Sequence, residues 1–369
     1  MFTRTQTKTI NVGGVPIGGG HPITIQSMTN TDTRDTAETI RQIHALADCG
    51  CEIVRVAVPD MEAAEALRHI KKASPIPVVA DIHFDYRLAL ASIESGADKL
   101  RINPGNIGGE DRVRQVVQAA KAAGIPINIG VNGGSLEKNL LEKYGGVTPE
   151  ALCESAIDHI KMLEAHSFYD IVLSIKASDI LLTFEANRIL CEKVNYPLHI
   201  GITEAGTVYR GTIKSAAGIG ALLAMGIGDT VRVSLTGDPT EEVKVAKEIL
   251  QAFGLRRFGT QIISCPTCGR CEVDLADIAQ KVENFCDTLS VPITVAVMGC
   301  VVNGPGEAKN ADFGIACGKA GRSGASGRSG AGSGVIFQKG QIIEKVPADQ
   351  LAEALITKIA AFCPDTKIS

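Results

Sequence analysis

Four cysteines in two short segments are the residues with the clearest capacity for chemistry. The segment SCPTCGRC places Cys265, Cys268 and Cys271 in a C-x2-C-x2-C run, and Cys300 follows in the segment MGCVVNGPGE. Thiolates three residues apart on one turn can bind a common metal centre, which distant ligands complete. The pattern therefore indicates a metal centre, with Cys271 as a candidate ligand beside the other three.

The spacing leaves three interpretations of these cysteines open. The run is similar to that of a ferredoxin, which favours an iron–sulfur cluster. A structural zinc ion, which needs four closed ligands, is the main alternative, and free thiols are the third. The other seven cysteines lie mostly in apolar surroundings, so we expect them to be small core residues. They are Cys49, Cys51, Cys153, Cys191, Cys286, Cys317 and Cys363.

A second set of polar side chains lies at the ends of short apolar runs. The set comprises Arg55, Asp81, His83, Arg101, Asn103, Asn128, Asn132, Lys176, Thr203, Glu204, Arg232 and Ser234. Cations that converge on one place repel each other unless an anion binds, and Arg and Lys suit phosphate oxygens. The set therefore favours a phosphorylated substrate, although any single cation could instead cover a rim.

Three residues of this set have individual predictions. His83 follows Asp81 by two residues, so both side chains point to the same face of an extended segment. A structural role is the alternative for a lone histidine. Glu204, in the segment GITEAG, is the carboxylate best placed to move a proton, and pairing with a neighbouring cation is its alternative role.

The elements that must position these residues are eight apolar runs, each followed by a helix-patterned segment. The runs cover residues 23–28, 52–58, 77–82, 99–103, 125–131, 170–175, 198–203 and 230–235. Near-continuous apolar runs are typical of parallel strands buried on both faces. Eight such units predict an α/β fold with a TIM (β/α)8 barrel over residues 1–255. A doubly wound open sheet is the rival, but eight parallel strands would make it unusually wide.

Residues 256–369 differ in character and predict a small α+β domain that carries the metal centre. Residues 319–334, KAGRSGASGRSGAGSG, contain the unit GRSGA twice and predict a flexible loop. An extended run at 335–338, a turn at 339–340 and a helix at 348–362 follow. At the other end of the chain, the glycine-rich segment 13–20 precedes the first strand, so it predicts a hairpin and not a dinucleotide-binding loop.

Whole-chain properties limit the partners. The 369 residues carry a formal net charge of -4, which gives no general attraction to nucleic acid or acidic membrane surfaces. No run of about 18 apolar residues predicts a membrane span. The N-terminal segment MFTRTQTKTI lacks the apolar core of a secretory signal, so we expect a cytoplasmic protein. In that compartment eleven cysteines indicate metal or redox chemistry and not a disulfide framework.

Seven segments have distinctive sequences and occur in a characteristic order. They are ITIQSMT (23–29), LRINPGN (100–106), GVNGGSL (130–136), KASD (176–179), GITEAG (201–206), CPTC (265–268) and GCVVNG (299–304). Together they resemble the bacterial 4-hydroxy-3-methylbut-2-enyl diphosphate synthases over nearly the whole chain. The resemblance implies a TIM barrel followed by a small reductase-like domain with a [4Fe-4S] cluster. It also implies a homodimer in which the cluster of one subunit caps the barrel mouth of the other.

The resemblance further implies a substrate and a role for each matching residue. The substrate would be 2-C-methyl-D-erythritol 2,4-cyclodiphosphate, opened and reduced by two electrons with loss of water, with flavodoxin or ferredoxin as electron donor. Glu204 would donate a proton. The diphosphate site would comprise Arg55, Arg101, Asn103, Asn132, Lys176, Arg232 and Ser234, with Asp81 and His83 nearby. The cluster ligands would be Cys265, Cys268, Cys300 and Glu307.

The implied ligand set replaces Cys271 with a carboxylate, which has a chemical rationale. Hard oxygen binds a thiolate-loving iron less firmly, so Glu307 would leave that iron accessible to a substrate oxygen. Two departures from the family stand out. Asn128 occupies a position where an arginine is usual, and the GRSGA repeat is expanded. The repeat is either inert or lets Arg322 and Arg328 contact the diphosphate or an acidic electron donor.

Two rival functions remain on sequence alone. One is a barrel lyase or isomerase that acts on a sugar phosphate and has a structural zinc ion in its C-terminal domain. The other is an iron–sulfur electron carrier whose barrel is only a scaffold. The cationic strand ends argue against the carrier, and Glu307 beside Cys300 argues against zinc.

Overall fold

The first described element is an antiparallel hairpin of β1 (Ile10–Val12) and β2 (Val15–Ile17). The computed structural model describes residues 6–268, 271, 273–289, 291–300, 308–317 and 333–363. Gly13 and Gly14 form the hairpin turn with φ angles of 56° and 96°, which glycine adopts without strain. The hairpin predicted from the glycine-rich segment is confirmed.

Eight parallel strands follow, and each lies within or overlaps one of the eight predicted apolar runs. They are β3 (Thr24–Met28), β4 (Ile53–Ala57), β5 (Val78–Asp81), β6 (Lys99–Ile102), β7 (Ile127–Asn132), β8 (Ile171–Lys176), β9 (His199–Ile200) and β10 (Thr230–Val231). Their order in the sheet is β8-β7-β6-β5-β4-β3-β10-β9. A parallel bridge between Leu173 and Leu198 joins the two ends, and Leu173 N donates to Pro197 O at 2.9 Å. The TIM barrel is confirmed, and the open-sheet alternative is wrong.

Nine helices occur in the described part of this unit. They are α1 (Thr36–Asp48), α2 (Met61–Ala73), α3 (Tyr86–Glu94), α4 (Glu110–Ala123), α5 (Lys138–Tyr144), α6 (Pro149–Glu164), α7 (Ile180–Cys191), α8 (Val208–Ala224) and α9 (Pro239–Ala252). Five of them begin at an aspartate whose carboxylate accepts a hydrogen bond from a backbone N–H of the first turn: Asp35, Asp60, Asp85, Asp179 and Asp238. These caps satisfy orphan amides and start the helices close to the strand ends that carry the polar residues.

The chain divides into two compact units, Met1–Arg256 and Arg257–Ser369. Arg256 belongs to the barrel unit because its Nη1 donates to Ile23 O at 2.8 Å and to Glu52 Oε2 at 2.5 Å. No helix in the described part of the chain is both long and apolar enough to span a membrane.

The described residues of the second unit form a mixed five-stranded sheet and two long helices. The strands are β11 (Gln261–Ser264), β12 (Thr294–Met298), β13 (Phe313–Cys317), β14 (Ser333–Gln338) and β15 (Gln341–Pro347), and the helices are α10 (Leu275–Cys286) and α11 (Leu351–Phe362). β11, β12 and β13 pair in parallel, whereas β14 and β15 add antiparallel strands at one edge. Both helices contribute to the core that covers the sheet. The small α+β domain is therefore confirmed.

The predicted flexible loop 319–334 is wrong at its C-terminal end. Ser333 and Gly334 belong to β14, and Gly334 pairs with Cys317 of β13. A Cβ on Gly334 would lie 2.5 Å from Leu351 Cδ1, so this glycine serves close packing and not flexibility. Residues 319–332, including Arg322 and Arg328, lie outside the described residues.

Cysteines outside the two motifs behave as the sequence predicts. Cys51, Cys153, Cys286, Cys317 and Cys363 are buried, and the remaining two are half-buried. Burial raises the pKa of the Cys51 thiol to about 12, so this cysteine stays protonated and inert at neutral pH.

Barrel closure depends on Asp229, which follows Gly228 just before β10. Its Oδ2 accepts from Leu198 N at 2.9 Å, and its side chain is buried. Asp229→Ala leaves the Leu198 N–H without that acceptor, so we expect the free energy of unfolding to fall by about 1–3 kcal/mol in urea denaturation. Asp229→Asn keeps an oxygen there and should lose less. An equal loss in both variants would show that the charge, and not the acceptor, matters.

Candidate active site

Polar residues at the C-terminal ends of the barrel strands surround an open cavity of about 810 Å³. Seven residues of the predicted set line it: His83, Arg101, Asn103, Asn132, Lys176, Thr203 and Glu204. Its size is within the range of pockets that enclose small-molecule ligands. The structure thus brings together residues from five different strand ends, as expected for a barrel active site.

Asp81, at the end of β5, is the counterion of this cluster. Its Oδ1 lies 3.3 Å from Arg101 Nη1, and its Oδ2 lies 3.6 Å from Arg55 Nε and 3.5 Å from His83 Nε2. Burial alone would raise the pKa of Asp81. The charges of Arg55 and Arg101 and the hydrogen bond from His83 outweigh burial and hold the pKa well below its usual range. Asp81 is therefore ionised and fixes three mouth residues.

A second buried carboxylate, Glu242, was not predicted. It lies in the first turn of α9. On sequence alone, an acidic residue there is explained by its favourable interaction with the helix dipole. Glu242 Oε2 lies 3.6 Å from Arg232 Nε and accepts from Ser27 Oγ at 2.9 Å. Burial, and after it the charge of Arg55, lowers the pKa of Arg232 to about 10 in spite of this partner. Only the packing of α9 on β3 makes Glu242 part of the site.

Lys176 has no carboxylate partner of its own. Its side chain is buried at the end of β8, and no ion pair or hydrogen bond of its ammonium group occurs within the described ranges. Burial, followed by the charges of Arg55 and Arg232, lowers the pKa of Lys176 well below its ordinary value. The ammonium group is therefore poised to gain an anionic partner.

Lys99 lies two residues before Arg101 on β6 and was also missed. The side chain is fully buried, and Nζ donates to the neutral amide oxygen of Gln26 at 3.2 Å. Burial, and next the charge of Arg55, lowers the pKa of Lys99 from 10.5 to about 7. A charged residue inside an apolar strand, two positions before a predicted site residue, was the signal that could have identified it.

His199 on β9 is a further buried polar residue near Lys176 and Lys99. Its Nδ1 lies 3.4 Å from Thr230 Oγ1, and its Nε2 has no hydrogen-bond partner in the described part of the chain. Burial, and then the charges of Lys176 and Lys99, lowers the pKa of His199 far below its ordinary value. The imidazole is therefore neutral, because burial and the nearby positive charges both disfavour its protonation.

Gly130 on β7 provides space for Arg101. A Cβ at this position would lie 2.4 Å from Arg101 Nε. With its amide oxygen turned toward Arg101 Nη2, Asn132 accepts a hydrogen bond at 3.0 Å. Asn128, on the same strand, is buried, donates to Val172 O at 3.4 Å and does not line the cavity. The residue that departs from the family pattern is thus bound to the neighbouring strand.

Glu204 adopts a left-handed backbone conformation at the cavity rim. Its φ is 53°, its side chain is exposed and it lines the cavity together with Thr203. Such a conformation is costly for a residue with a Cβ and concentrates at functional sites. The remaining predicted residues lie off this cavity. Asp81 lines a smaller adjoining one of about 280 Å³, whereas Arg55, Arg232 and Ser234 line neither.

The cysteines of the second unit meet at one edge of its sheet. Cys265 follows β11 and Cys300 lies just after β12, and these strands are parallel neighbours. Cys265 N donates to Val297 O at 3.1 Å, and Cys268 N donates to Pro266 O at 2.9 Å, which forms the turn of the first motif. The carboxyl ends of parallel strands thus gather soft sulfur donors, the ligand type that iron–sulfur clusters use. Glu307 lies outside the described residues.

Cys271 lies close to this turn and packs against the core of the unit, as Cys265 does. Its Sγ donates to Val273 O at 3.3 Å and would lie 2.9 Å from a Cβ on Gly299. Burial raises the pKa of Cys317 to about 11, with smaller effects from the nearby Cys271, Cys265 and Cys300. In the part of the chain that the structure describes, no group of three His, Cys, Asp or Glu side chains is arranged to hold a metal ion. The soft donors present nevertheless fit a cluster that needs further ligands.

Known proteins show clear similarity to this chain. The family described as the GcpE TIM-barrel domain matches residues 7–247, and the GcpE protein C-terminal domain matches residues 261–361. The 4-hydroxy-3-methylbut-2-en-1-yl diphosphate synthase (flavodoxin) of Maridesulfovibrio salexigens is 58% identical over 350 residues, which cover 95% of this chain and 94% of that protein. The protein of the same name from Ruminiclostridium cellulolyticum is 57% identical over 97% of this chain and 98% of its own length.

Solved structures also resemble this chain. Type I 3-dehydroquinate dehydratase from Clostridium difficile aligns with a TM-score of 0.50 and 13% identity over 67% of this chain and 98% of its own. That similarity concerns the fold and carries no functional information. The two matching domains and the relatives that are more than half identical decide the family. The chain belongs to the GcpE family, whose members include the flavodoxin-dependent 4-hydroxy-3-methylbut-2-en-1-yl diphosphate synthases.

Proposed function

We propose that this protein is a 4-hydroxy-3-methylbut-2-en-1-yl diphosphate synthase. The substrate is 2-C-methyl-D-erythritol 2,4-cyclodiphosphate, whose ring is opened with uptake of two electrons and loss of water. The names of the relatives support this reaction. The observation that carries the proposal is the excess of buried positive charge in the barrel, because it calls for an anion with several charges.

The charge count in the barrel interior supports a diphosphate ligand. Five basic side chains, Arg55, Lys99, Arg101, Lys176 and Arg232, lie in or near the barrel interior, and within the described residues only Asp81 and Glu242 form ion pairs with them. The three arginines already exceed these two carboxylates in charge, and a bound anion would favour the charged forms of Lys99 and Lys176, whose pKa values are lowered in its absence. Burying charge is costly unless an opposite charge compensates it. Two phosphate groups at the mouth would supply that compensation and would accept charge-assisted hydrogen bonds from Arg101 and Lys176.

Each predicted site residue then has a proposed role. Arg101 and Lys176 bind phosphate oxygens, and Asn103 and Asn132 donate amide hydrogen bonds beside them. Arg55, Arg232 and Ser234 complete the anion site, although they do not line the cavity in the absence of ligand. Asp81 and His83 orient this set, since Asp81 contacts Arg55, Arg101 and His83. Glu204, at the cavity rim, is the proposed proton donor to the oxygen that leaves as water.

The second unit is proposed to hold a [4Fe-4S] cluster through Cys265, Cys268, Cys300 and Glu307. When bound, the cluster supplies the two electrons that the reaction consumes. The gathering of thiols at the ends of β11 and β12 supports three of these ligands. Flavodoxin, which the relatives' names print, is the proposed electron donor, and ferredoxin is the alternative.

We also propose a cytoplasmic homodimer. Helices α7 and α8 expose large apolar side chains close to the barrel mouth, with Leu181 74%, Tyr209 78% and Ile213 54% exposed. Neighbouring apolar side chains of this kind mark protein–protein interfaces. A second copy of the chain is the proposed partner of this surface. That two subunits share one active site stays a prediction from the family resemblance.

The function is tested by anaerobic turnover of the cyclodiphosphate with reduced flavodoxin. Arg101→Gln should raise KM about 10–100-fold, because it removes charge-assisted hydrogen bonds worth about 1.5–3 kcal/mol, while the iron content stays unchanged. Arg188→Gln, on the outer face of α7, is the matched control and should not alter KM. A wild-type holoenzyme without turnover would refute the function, and an unchanged KM in Arg101→Gln would place the anion elsewhere.

Lys99 should couple anion binding to stability. Its pKa falls from 10.5 in the unfolded chain to about 7 in the folded barrel. Between these pH values the unfolded chain binds more protons, so the free energy of unfolding rises with pH. Lys99→Met should remove this rise, increase the melting temperature of the ligand-free protein below about pH 7 by several degrees, and weaken pyrophosphate binding there.

The matched control for this substitution is Lys72→Met, because Lys72 is exposed on α2. It should leave both the pH profile of melting and the pyrophosphate affinity unchanged. Calorimetric titration with pyrophosphate and thermal melting across pH provide the two measurements. If Lys99→Met destabilised the protein at every pH, Lys99 would serve packing and not charge compensation.

Cys271 should not bind the cluster, because the family resemblance implies Glu307 as the fourth ligand in its place. We expect Cys271→Ser to keep its full iron content, its visible absorption and most of its activity. Cys265→Ser and Cys268→Ser, in the same loop, should lose all three. Iron analysis per subunit after anaerobic purification makes the comparison, and a colourless Cys271→Ser protein would make Cys271 a ligand.

A further inference from the structure

A buried carboxylate and an imidazole meet behind the wall of the cavity, outside the proposed site. Glu137 ends the loop that connects β7 to α5, and His159 lies on the inner face of α6. His159 Nε2 is 3.0 Å from Glu137 Oε1, and the His159 side chain is only 4% exposed. Neither residue lines the cavity. The mechanism derived above uses neither of them, although both are costly to bury.

The pair centres on the Glu137 carboxylate. Burial works to raise the pKa of Glu137, but the polar contacts of its carboxylate with His159, with its own backbone and with Ser155 hold it at about 2. The carboxylate is therefore ionised at neutral pH. A buried carboxylate of this kind keeps its position only while its partner stays beside it.

The backbone of the preceding mouth loop lies directly on this pair. An ideal Cβ on Gly105 would lie 2.9 Å from His159 Nε2 and 3.0 Å from Glu137 Oε1. Gly105 is absent from the residues with positive φ, so the glycine is needed for space and not for backbone conformation. His159 and Glu137 thus form the support on which this loop rests.

The supported loop carries a proposed ligand-binding residue. Asn103 Oδ1 accepts from Gly105 N at 3.0 Å, and Asn106 N donates to Asn103 O at 2.9 Å. Asn103 and Asn106 both line the cavity. Because the Asn103 amide oxygen is bound to Gly105 N, the position of Gly105 fixes which way the amide nitrogen of Asn103 points.

The same pair also reaches a second mouth loop. Residues 133–136, which directly precede Glu137, line the opposite part of the cavity wall. The position of Glu137 is therefore coupled to that of the β7–α5 loop, while Gly105 couples it to the β6–α4 loop. Two consecutive loops of the mouth share one buried anchor that is provided by α6.

We propose that Glu137 and His159 are positioning residues. They hold the loop of residues 103–106 in the position from which the amide nitrogen of Asn103 donates a hydrogen bond to a bound phosphate. The proposal deepens the proposed function and rests on its diphosphate site. His159 acts through Gly105 and Asn103 and does not touch the ligand. Its loss should therefore weaken anion binding only through Asn103.

The test measures calorimetric binding of inorganic pyrophosphate to the holoenzyme. His159→Leu should weaken binding at least about five-fold, whereas His159→Gln, which keeps a donor nitrogen, should stay within about two-fold of wild type. Asn103→Ala should weaken binding by a similar factor. In the His159→Leu background, Asn103→Ala should produce little further loss, because the amide is already misplaced. His69→Leu, at an exposed histidine of α2, is the matched control.

Gly105→Ala tests the same support from the other side and covers the case in which His159→Leu fails to fold. The added methyl group must displace the loop from the pair, so pyrophosphate affinity should fall by a similar factor with unchanged iron content. The proposal would be overturned if the fold-losses of pyrophosphate affinity from His159→Leu and Asn103→Ala multiplied fully in the double variant. Wild-type affinity in Gly105→Ala would also overturn it. A wild-type holoenzyme that binds no pyrophosphate would overturn both this proposal and the diphosphate site.

Discussion

The barrel mouth depends on the compensation of buried positive charge by one carboxylate. Asp81 contacts Arg55, Arg101 and His83, which come from different strand ends or loops, and no other described carboxylate contacts these three residues. In a medium of low polarity such contacts are strong, and so is the repulsion among the cations that stay unpaired. The arrangement therefore holds side chains in place while it leaves an excess of charge that only a ligand can neutralise.

The unpaired positive charge destabilises the ligand-free barrel, and contacts elsewhere in the barrel offset this destabilisation. Lys176 and Lys99 lie in the interior without carboxylate partners among the residues that the structure describes, and their lowered pKa values reflect the unfavourable burial of their charged forms. The barrel around them compensates through apolar strands, the N-terminal hairpin and the closing contacts near Asp229. Sites that are built for a charged ligand are commonly destabilising in its absence, because preorganisation places like charges together before the ligand arrives.

In the second unit, as in the barrel, the ends of parallel strands bring together residues that are distant in sequence. Parallel strands β11 and β12 end side by side, so residues that follow them are neighbours although 35 positions separate Cys265 from Cys300. The same edge also contains Cys271 and Cys317, whose thiols are engaged with the core. Cys317 is buried, whereas Cys265 and Cys271 are half-buried and Cys268 is exposed. Sequence spacing alone treats Cys268 and Cys271 as equivalent, and only the structure shows that their exposure differs.

The sequence by itself determined the fold class, the eight strands and the family, because apolar runs of strand length and short contiguous motifs can be recognised without tertiary information. It also identified Arg101, Lys176 and Glu204 as residues of one mouth, since parallel strands of a barrel must end at the same side. Only the tertiary structure decided which of these residues line the cavity and which, such as Arg232, lie beneath it.

The residues that sequence reasoning missed have one property in common. Glu242, Glu137 and His159 lie on helices or loops whose patterns are those of ordinary surface or core positions, and Lys99 lies within an apolar run. Their roles arise from contacts with segments that are distant in sequence, such as Gly105 beneath the Asn103 loop. The period of a strand or helix fixes which face a side chain takes, but only packing brings two such faces together, and pair contacts across the fold have no local signature.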